Sequence, residues 1–148
     1  MINKVLASYD CAVKLLLNYL SPLALLAFRL VPALAFFKAG QVKIASWDST
    51  LYLFEEEYQV PIIPWEMAAY LGTAAELILP PLLALGLLCR PVAFALFAFN
   101  IVAVISYPTI WGGGFYDHQL WGAMLLAVVI WGPGKLSIDN FLRKKFAA

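Results

Sequence analysis

Charge is scarce in this chain, and histidine scarcer still. Only 13% of the 148 residues are charged, against 64% hydrophobic, whereas soluble domains are nearer ~45–50% apolar. That balance excludes an ordinary water-soluble domain and points to a bilayer. With a single histidine, His118, the chain lacks the pair of imidazoles that a bis-histidine haem requires. The two cysteines, Cys11 and Cys89, form no CxxC, and no His/Cys constellation offers the three or four convergent ligands of a zinc site. The one basic tract is Arg143-Lys144-Lys145, too little for a nucleic-acid partner. The first residues hold neither an uninterrupted apolar core nor an Ala-x-Ala site, so no signal peptide is expected. No repeat or low-complexity tract breaks what is, by length, one domain.

What the chain does have is apolar length. A transmembrane span takes ~20 apolar residues at ~1.5 Å rise each, and the sequence offers such runs at about 22–45, 64–89, 91–108 and 117–132. Ser21-Pro22 reads as the start of the first, a capping hydroxyl followed by proline at the first helical position. Before it, Lys4, Ser8, Cys11, Lys14 and Asn18 recur every three or four residues opposite Leu6, Val13, Leu16, Leu17 and Leu20. That stripe predicts an amphipathic segment over 1–20 lying in the membrane interface, with a cytoplasmic extension of the first span as the alternative. Cys89-Arg90-Pro91 reads as the turn between the second and third spans, and Asp117 as the cap of the fourth. The expected fold is an all-α integral membrane protein. A four-transmembrane-helix bundle occupies 21–134, preceded by the interfacial helix and followed by a basic tail at 135–148.

Charge then sets the orientation. Residues 46–63 carry Asp48 and Glu55-Glu56-Glu57, a local charge of −4, with no lysine or arginine, and residues 109–118 hold no lysine or arginine either. The N-terminal segment, Arg90 and the C-terminal tail hold the basic residues outside the spans. Positive charge stays in the cytoplasm, which places both termini there and the acidic loop outside. The apolar stretch Val60-Pro61-Ile62-Ile63-Pro64 is extended before its prolines and is expected to fold back over the mouth of the bundle.

Polar residues inside spans are costly and therefore informative. Arg29, which keeps its charge in any protein environment, and Glu76 and Asn100 fall at or near mid-span. Pairing Arg29 with Glu76, with Asn100 hydrogen-bonded alongside, satisfies all three. Such a pair either fixes helix register or carries protons or contacts a ligand. A second set gathers at the outer mouth: Lys43, Glu66, Tyr107, Asp117 and His118, with Trp65, Tyr70, Trp111 and Trp121 nearby. The aromatics form either an interfacial belt or the walls of a flat-ring site. In the second case Trp65, Tyr70, Tyr107 and Trp121 are the walls and His118 the polar contact. Arg29, Glu76 and His118 are the candidates for chemistry.

Several runs carry a family resemblance. They are Phe28-Arg29-Leu30, Lys38-Ala39-Gly40-Gln41-Val42-Lys43, Ala74-Ala75-Glu76-Leu77, Leu85-Gly86-Leu87 with Arg90, and Gly132-Pro133-Gly134-Lys135-Leu136-Ser137-Ile138-Asp139. Together they resemble the DoxX family of small bacterial membrane proteins over about residues 22–142. The resemblance implies a four-helix protein of the bacterial inner membrane associated with redox work. Relatives include quinone-linked thiosulfate oxidoreductase subunits and membrane partners of thiol-stress and metal-handling systems. Two readings follow. In one, the chain is a quinone-interacting or redox-associated subunit acting with a protein partner or as a homo-oligomer. It then has no covalently bound cofactor and, if an enzyme, is part of a quinone-linked oxidoreductase. In the other it is a non-enzymatic membrane anchor or a small-solute or metal-handling component.

Overall fold

The computed structural model describes residues 2–146, and the described chain is helical with no strand. Helix α1 (Ile2–Ala45) is followed by α2 (Trp47–Glu56), α3 (Trp65–Leu85), α4 (Cys89–Ser106), a short α5 (Ile110–Gly113), α6 (Phe115–Trp131) and α7 (Ile138–Phe146). Among the described residues, α1, α3 and α4 are long and apolar enough to cross a membrane. Helix α6, at 17 residues, is at the short end of the ~17–25 that suffice; it packs against α4 and α1. The surface of the bundle is apolar: Ile78, Leu85, Phe94, Ile101, Ile105 and Ile130 all face outward. Patches that large on a monomer mark a partner or a bilayer, and with helices of this length the molecule is a membrane protein.

Two contacts fix the register of α1 against α3. A Cβ on Gly40 would lie 3.0 Å from Glu76 Cβ, and one on Gly86 would run into the Arg29 guanidinium. Gly40 therefore faces Glu76 and Arg29 faces Gly86, the helices running antiparallel with nearly equal spacing on each. Carried forward, this register puts Ala45 level with about Leu71, so the first turns of α3 overhang α1 by ~9 Å. Helix α2 fills that step. Its buried Phe54 packs on Ala68 and Ala69, and Thr50 Oγ1 donates to the Lys43 carbonyl at 3.0 Å. The main core lies further down, where Phe36, Leu83, Leu96, Leu125 and Val128 meet.

The helix start expected at Ser21-Pro22 does not occur. Helix α1 runs unbroken through Pro22 and Pro32. Proline costs an interior helix one hydrogen bond, but both rings are buried and the flanking Leu- and Ala-rich sequence holds the conformation. Residues 4–20 are almost all exposed, Val13 excepted, and they belong to the same helix as the first apolar run. The expected turn at Cys89-Arg90-Pro91 is also displaced. Gly86, at φ 69, ends α3 with Gly86 N–H donating to the Leu83 carbonyl and Leu87 N–H to that of Leu82, each at 3.0 Å. This paired closure needs a left-handed residue, which glycine supplies. Cys89 and Arg90 then already belong to α4. Helix α6 likewise opens at Phe115, so Asp117 sits in its first turn and not at its cap.

Asp139 closes the other end. Its carboxylate accepts from Leu88 N–H at 2.9 Å and Cys89 N–H at 2.8 Å, satisfying amides that open α4. Its own N–H donates to the Gly86 carbonyl at 3.0 Å. The hydroxyl of Ser137 starts α7, accepting from Asn140 N–H at 3.2 Å and donating to the Gly134 carbonyl at 2.9 Å. Gly132 and Gly134, both at positive φ, let residues 132–137 turn sharply enough for this. The Gly-Pro-Gly-Lys-Leu-Ser-Ile-Asp run is thus a staple across the α3–α4 turn.

Candidate functional site

The step between α1 and α3 encloses a cavity of about 550 Å³, within the ~300–1,000 Å³ of small-molecule sites. Its floor is charged. Lys43 Nζ lies 2.8 and 2.6 Å from the two carboxylate oxygens of Glu76, both side chains largely buried. Phe36 and Ala39 from α1, Gly72 and Ala75 from α3, and Phe99 from α4 form the walls. The small residues leave the room, since a Cβ on Gly72 would already touch Phe54 at 3.5 Å. Val60 and Ile63 also line it, and Gln59 N–H ties this segment to α4 through the Ser106 carbonyl at 2.7 Å.

Polar atoms reach the cavity from three sides. The rings of Tyr58 and Tyr107 meet edge to face at 4.5 Å, both on the wall. Burial, helped by Tyr107, Glu76 and Glu57, pushes the Tyr58 hydroxyl up to about 12, so it remains a neutral donor. Ser106 is buried on the same wall, and its Oγ has no hydrogen-bond partner among the described residues. His118 enters from α6, its ring 4.9 Å from that of Trp121 and 6.5 Å from that of Phe36. Asn100 on α4 holds it from behind: Asn100 Nδ2 donates to the His118 carbonyl at 2.9 Å and Oδ1 meets His118 Nδ1 at 2.7 Å.

Of the residues singled out from the sequence, Lys43, Glu76, Tyr107, His118 and Trp121 line this cavity. Trp65 and Tyr70 do not. Both face outward, and Tyr70 packs on Trp47 with centroids 4.9 Å apart. Glu66 and Asp117 are exposed as well.

The cluster of Arg29, Glu76 and Asn100 does not assemble, although all three are buried. From Gly40, opposite Glu76, back to Arg29 is 11 residues of helix, ~16 Å, far beyond the reach of one side chain. Arg29 instead donates to the carbonyls of Ala84 and Leu136, the first freed by the end of α3. Its hydrogen bonds go to backbone carbonyls, and among the described residues it makes no direct ion pair. Glu76 takes Lys43, and Asn100 takes His118. Phe36, Phe54 and Tyr58 were missed as wall residues. For Tyr58 the signal was present in the sequence, since it abuts the apolar segment expected over the mouth.

Among known proteins, the DoxX family model matches residues 24–108, more than half of the chain, and this range contains the ion pair and most of the cavity wall. No curated protein matches the chain, and neither does any solved structure.

Proposed function

The chain belongs to the DoxX family, and from that premise we propose that it is a redox-associated membrane subunit that holds a quinone-type ring for a partner protein. One observation carries the reading. A mostly apolar cavity, walled by Phe36, Phe99 and Trp121, has a charged floor and hydroxyl and imidazole groups at its edge. A quinone headgroup wants flat apolar faces and one or two polar contacts. The unpartnered Ser106 Oγ and the neutral Tyr58 hydroxyl fit its oxygens. The ring supplies the electron chemistry when bound, and the chain's own residues orient it and exclude water. Lys43 and Glu76, on the same wall, would supply a proton donor and acceptor to a ring held there.

The same proposal includes the membrane arrangement. Helices α1, α3, α4 and α6 cross the bacterial inner membrane, with both termini cytoplasmic. Arg90, Lys135 and the basic end of α7 gather at one end, and Asp48 and Glu55–Glu57 at the other, as the positive-inside rule asks. The cavity then opens on the outer half of the bilayer, where a lipid-borne ring arrives.

Titration of the purified protein in micelles with menadione, followed by tryptophan fluorescence, tests the reading. Of the five tryptophans, Trp121 alone among the described residues lines the cavity. Saturable quenching that disappears in Trp121→Phe and survives in Trp65→Phe is the expected result. Purely linear quenching, or identical curves for all three proteins, overturns it.

A further inference from the structure

The orientation of Asn100 fixes the tautomer of His118. The His118 backbone carbonyl only accepts, so the Asn100 atom 2.9 Å from it must be the amide nitrogen. The amide oxygen is then the atom 2.7 Å from His118 Nδ1, and an oxygen that only accepts requires Nδ1 to carry the proton. In the neutral ring the lone pair is left on Nε2. Among the described residues Nε2 has no hydrogen-bond partner. Asn100 lies outside the cavity, beside the groove between α4 and α6, whereas His118 lines both. With Nδ1 turned to Asn100, which is not on the cavity wall, Nε2 is the ring nitrogen left free for a ligand there.

We propose that His118 makes this cavity selective for a ligand that donates a proton, an aromatic alcohol or the dihydroxy form of a quinone, over one that only accepts. Asn100 is the positioning residue. This rests on the reading of the cavity as a ring site and adds which form of the ring is held. A hydroxyl on the ring gives its hydrogen to Nε2 while Phe36 and Trp121, edge to face at 5.7 Å, offer the ring one shared apolar wall. A carbonyl or ether oxygen at the same place meets a lone pair and gains nothing. One such hydrogen bond corresponds to roughly a three- to tenfold preference.

Two probes that differ by methylation of one hydroxyl test this without redox chemistry: 1-naphthol and 1-methoxynaphthalene, titrated into the micellar protein by tryptophan fluorescence and corrected for partition into empty micelles. The wild type should bind 1-naphthol roughly three- to tenfold more tightly. His118→Phe, which keeps an aromatic ring, should bind both equally. Asn100→Leu removes the acceptor that holds the proton on Nδ1, so either ring nitrogen can carry it and the preference for 1-naphthol should shrink. Equal affinity of the wild type for both probes, or tighter binding of 1-methoxynaphthalene, overturns the selectivity and leaves the ring site standing. If neither probe binds saturably while menadione does, the selectivity alone falls; if menadione fails as well, both readings fall. The wild-type ratio decides even where a variant does not fold.

Discussion

Lys43 Nζ stands within hydrogen-bonding distance of both carboxylate oxygens of Glu76, at 2.8 and 2.6 Å. The pair is possible because Gly40, one turn before Lys43, lets the two helices touch. Two opposite charges that would each be costly inside a membrane are thereby spent on each other at the wall of the cavity.

Removing one partner leaves the other charge without compensation. Lys43→Met and Glu76→Gln should each destabilise the protein by ~3–5 kcal/mol, and the double variant should recover much of that loss. Arg29→Met should not rescue Glu76→Gln, since groups this far apart are additive within ~0.5 kcal/mol. Unfolding in mixed micelles, arranged as double-mutant cycles, measures both couplings. A coupling of Glu76 to Arg29 larger than that to Lys43 would contradict the observed pairing.

Gly40 should tolerate almost nothing larger. An added Cβ would sit 3.0 Å from Glu76 Cβ and 3.0 Å from Leu77 Cδ2, too close without a shift of α3. Gly40→Leu is expected to cost ~1–3 kcal/mol as an overpacked contact. It should also weaken menadione quenching by moving the ion pair. Gly112→Leu, where an added Cβ meets nothing within 4 Å, is the control and should match the wild type in melting temperature.

Asp139→Ala should detach the tail helix from the α3–α4 turn. It strips the acceptor from two amides at the start of α4, a loss of ~1–2 kcal/mol for a helix cap. Trypsin should then cut after Lys135 faster than in the wild type. Unchanged cleavage would mean that the cap does not hold the tail in solution.

The neutral hydroxyl of Tyr58 has a spectroscopic consequence. An ordinary tyrosine ionises near ~10, whereas burial holds Tyr58 up to about 12. Alkaline titration at 295 nm should therefore give the same absorbance rise for wild type and Tyr58→Phe through pH 10.5. The two should diverge only above pH 11. A difference with its midpoint near 10 would show an exposed ring.

Much of the fold was legible because membrane helices announce themselves by apolar length, and the acidic stretch at 46–63 stood apart from them. The partners of the buried charges were not. Depth counted from span ends treats both ends of every helix as level, but α3 overhangs α1, and that offset moved Arg29 about three turns from Glu76. The Gly40 and Gly86 contacts reveal the true register, and a glycine in sequence does not say what it faces. Pro22 misled for a related reason. The same Ser-Pro pair that starts a helix is also tolerated inside one when the ring is buried. At the cavity, Tyr107, His118 and Trp121 could be found from their position at the mouth. Trp65 and Tyr70 share that position but face away, a matter of rotation about α3 that aromatic content alone does not settle.

Arg29 and its second acceptor, the carbonyl of Leu136, are separated by 107 positions in the chain. A ribosome delivers α1 to the membrane long before residue 136 exists. Until then the guanidinium must hold to water, lipid phosphate or the end of α3 alone. The Arg29 end of the bundle therefore closes last, as the tail emerges and Asp139 reaches the start of α4. Biogenesis ends with a latch, and a nascent chain stopped before residue 136 would carry all its apolar helices yet present an open, charged end to the quality-control machinery.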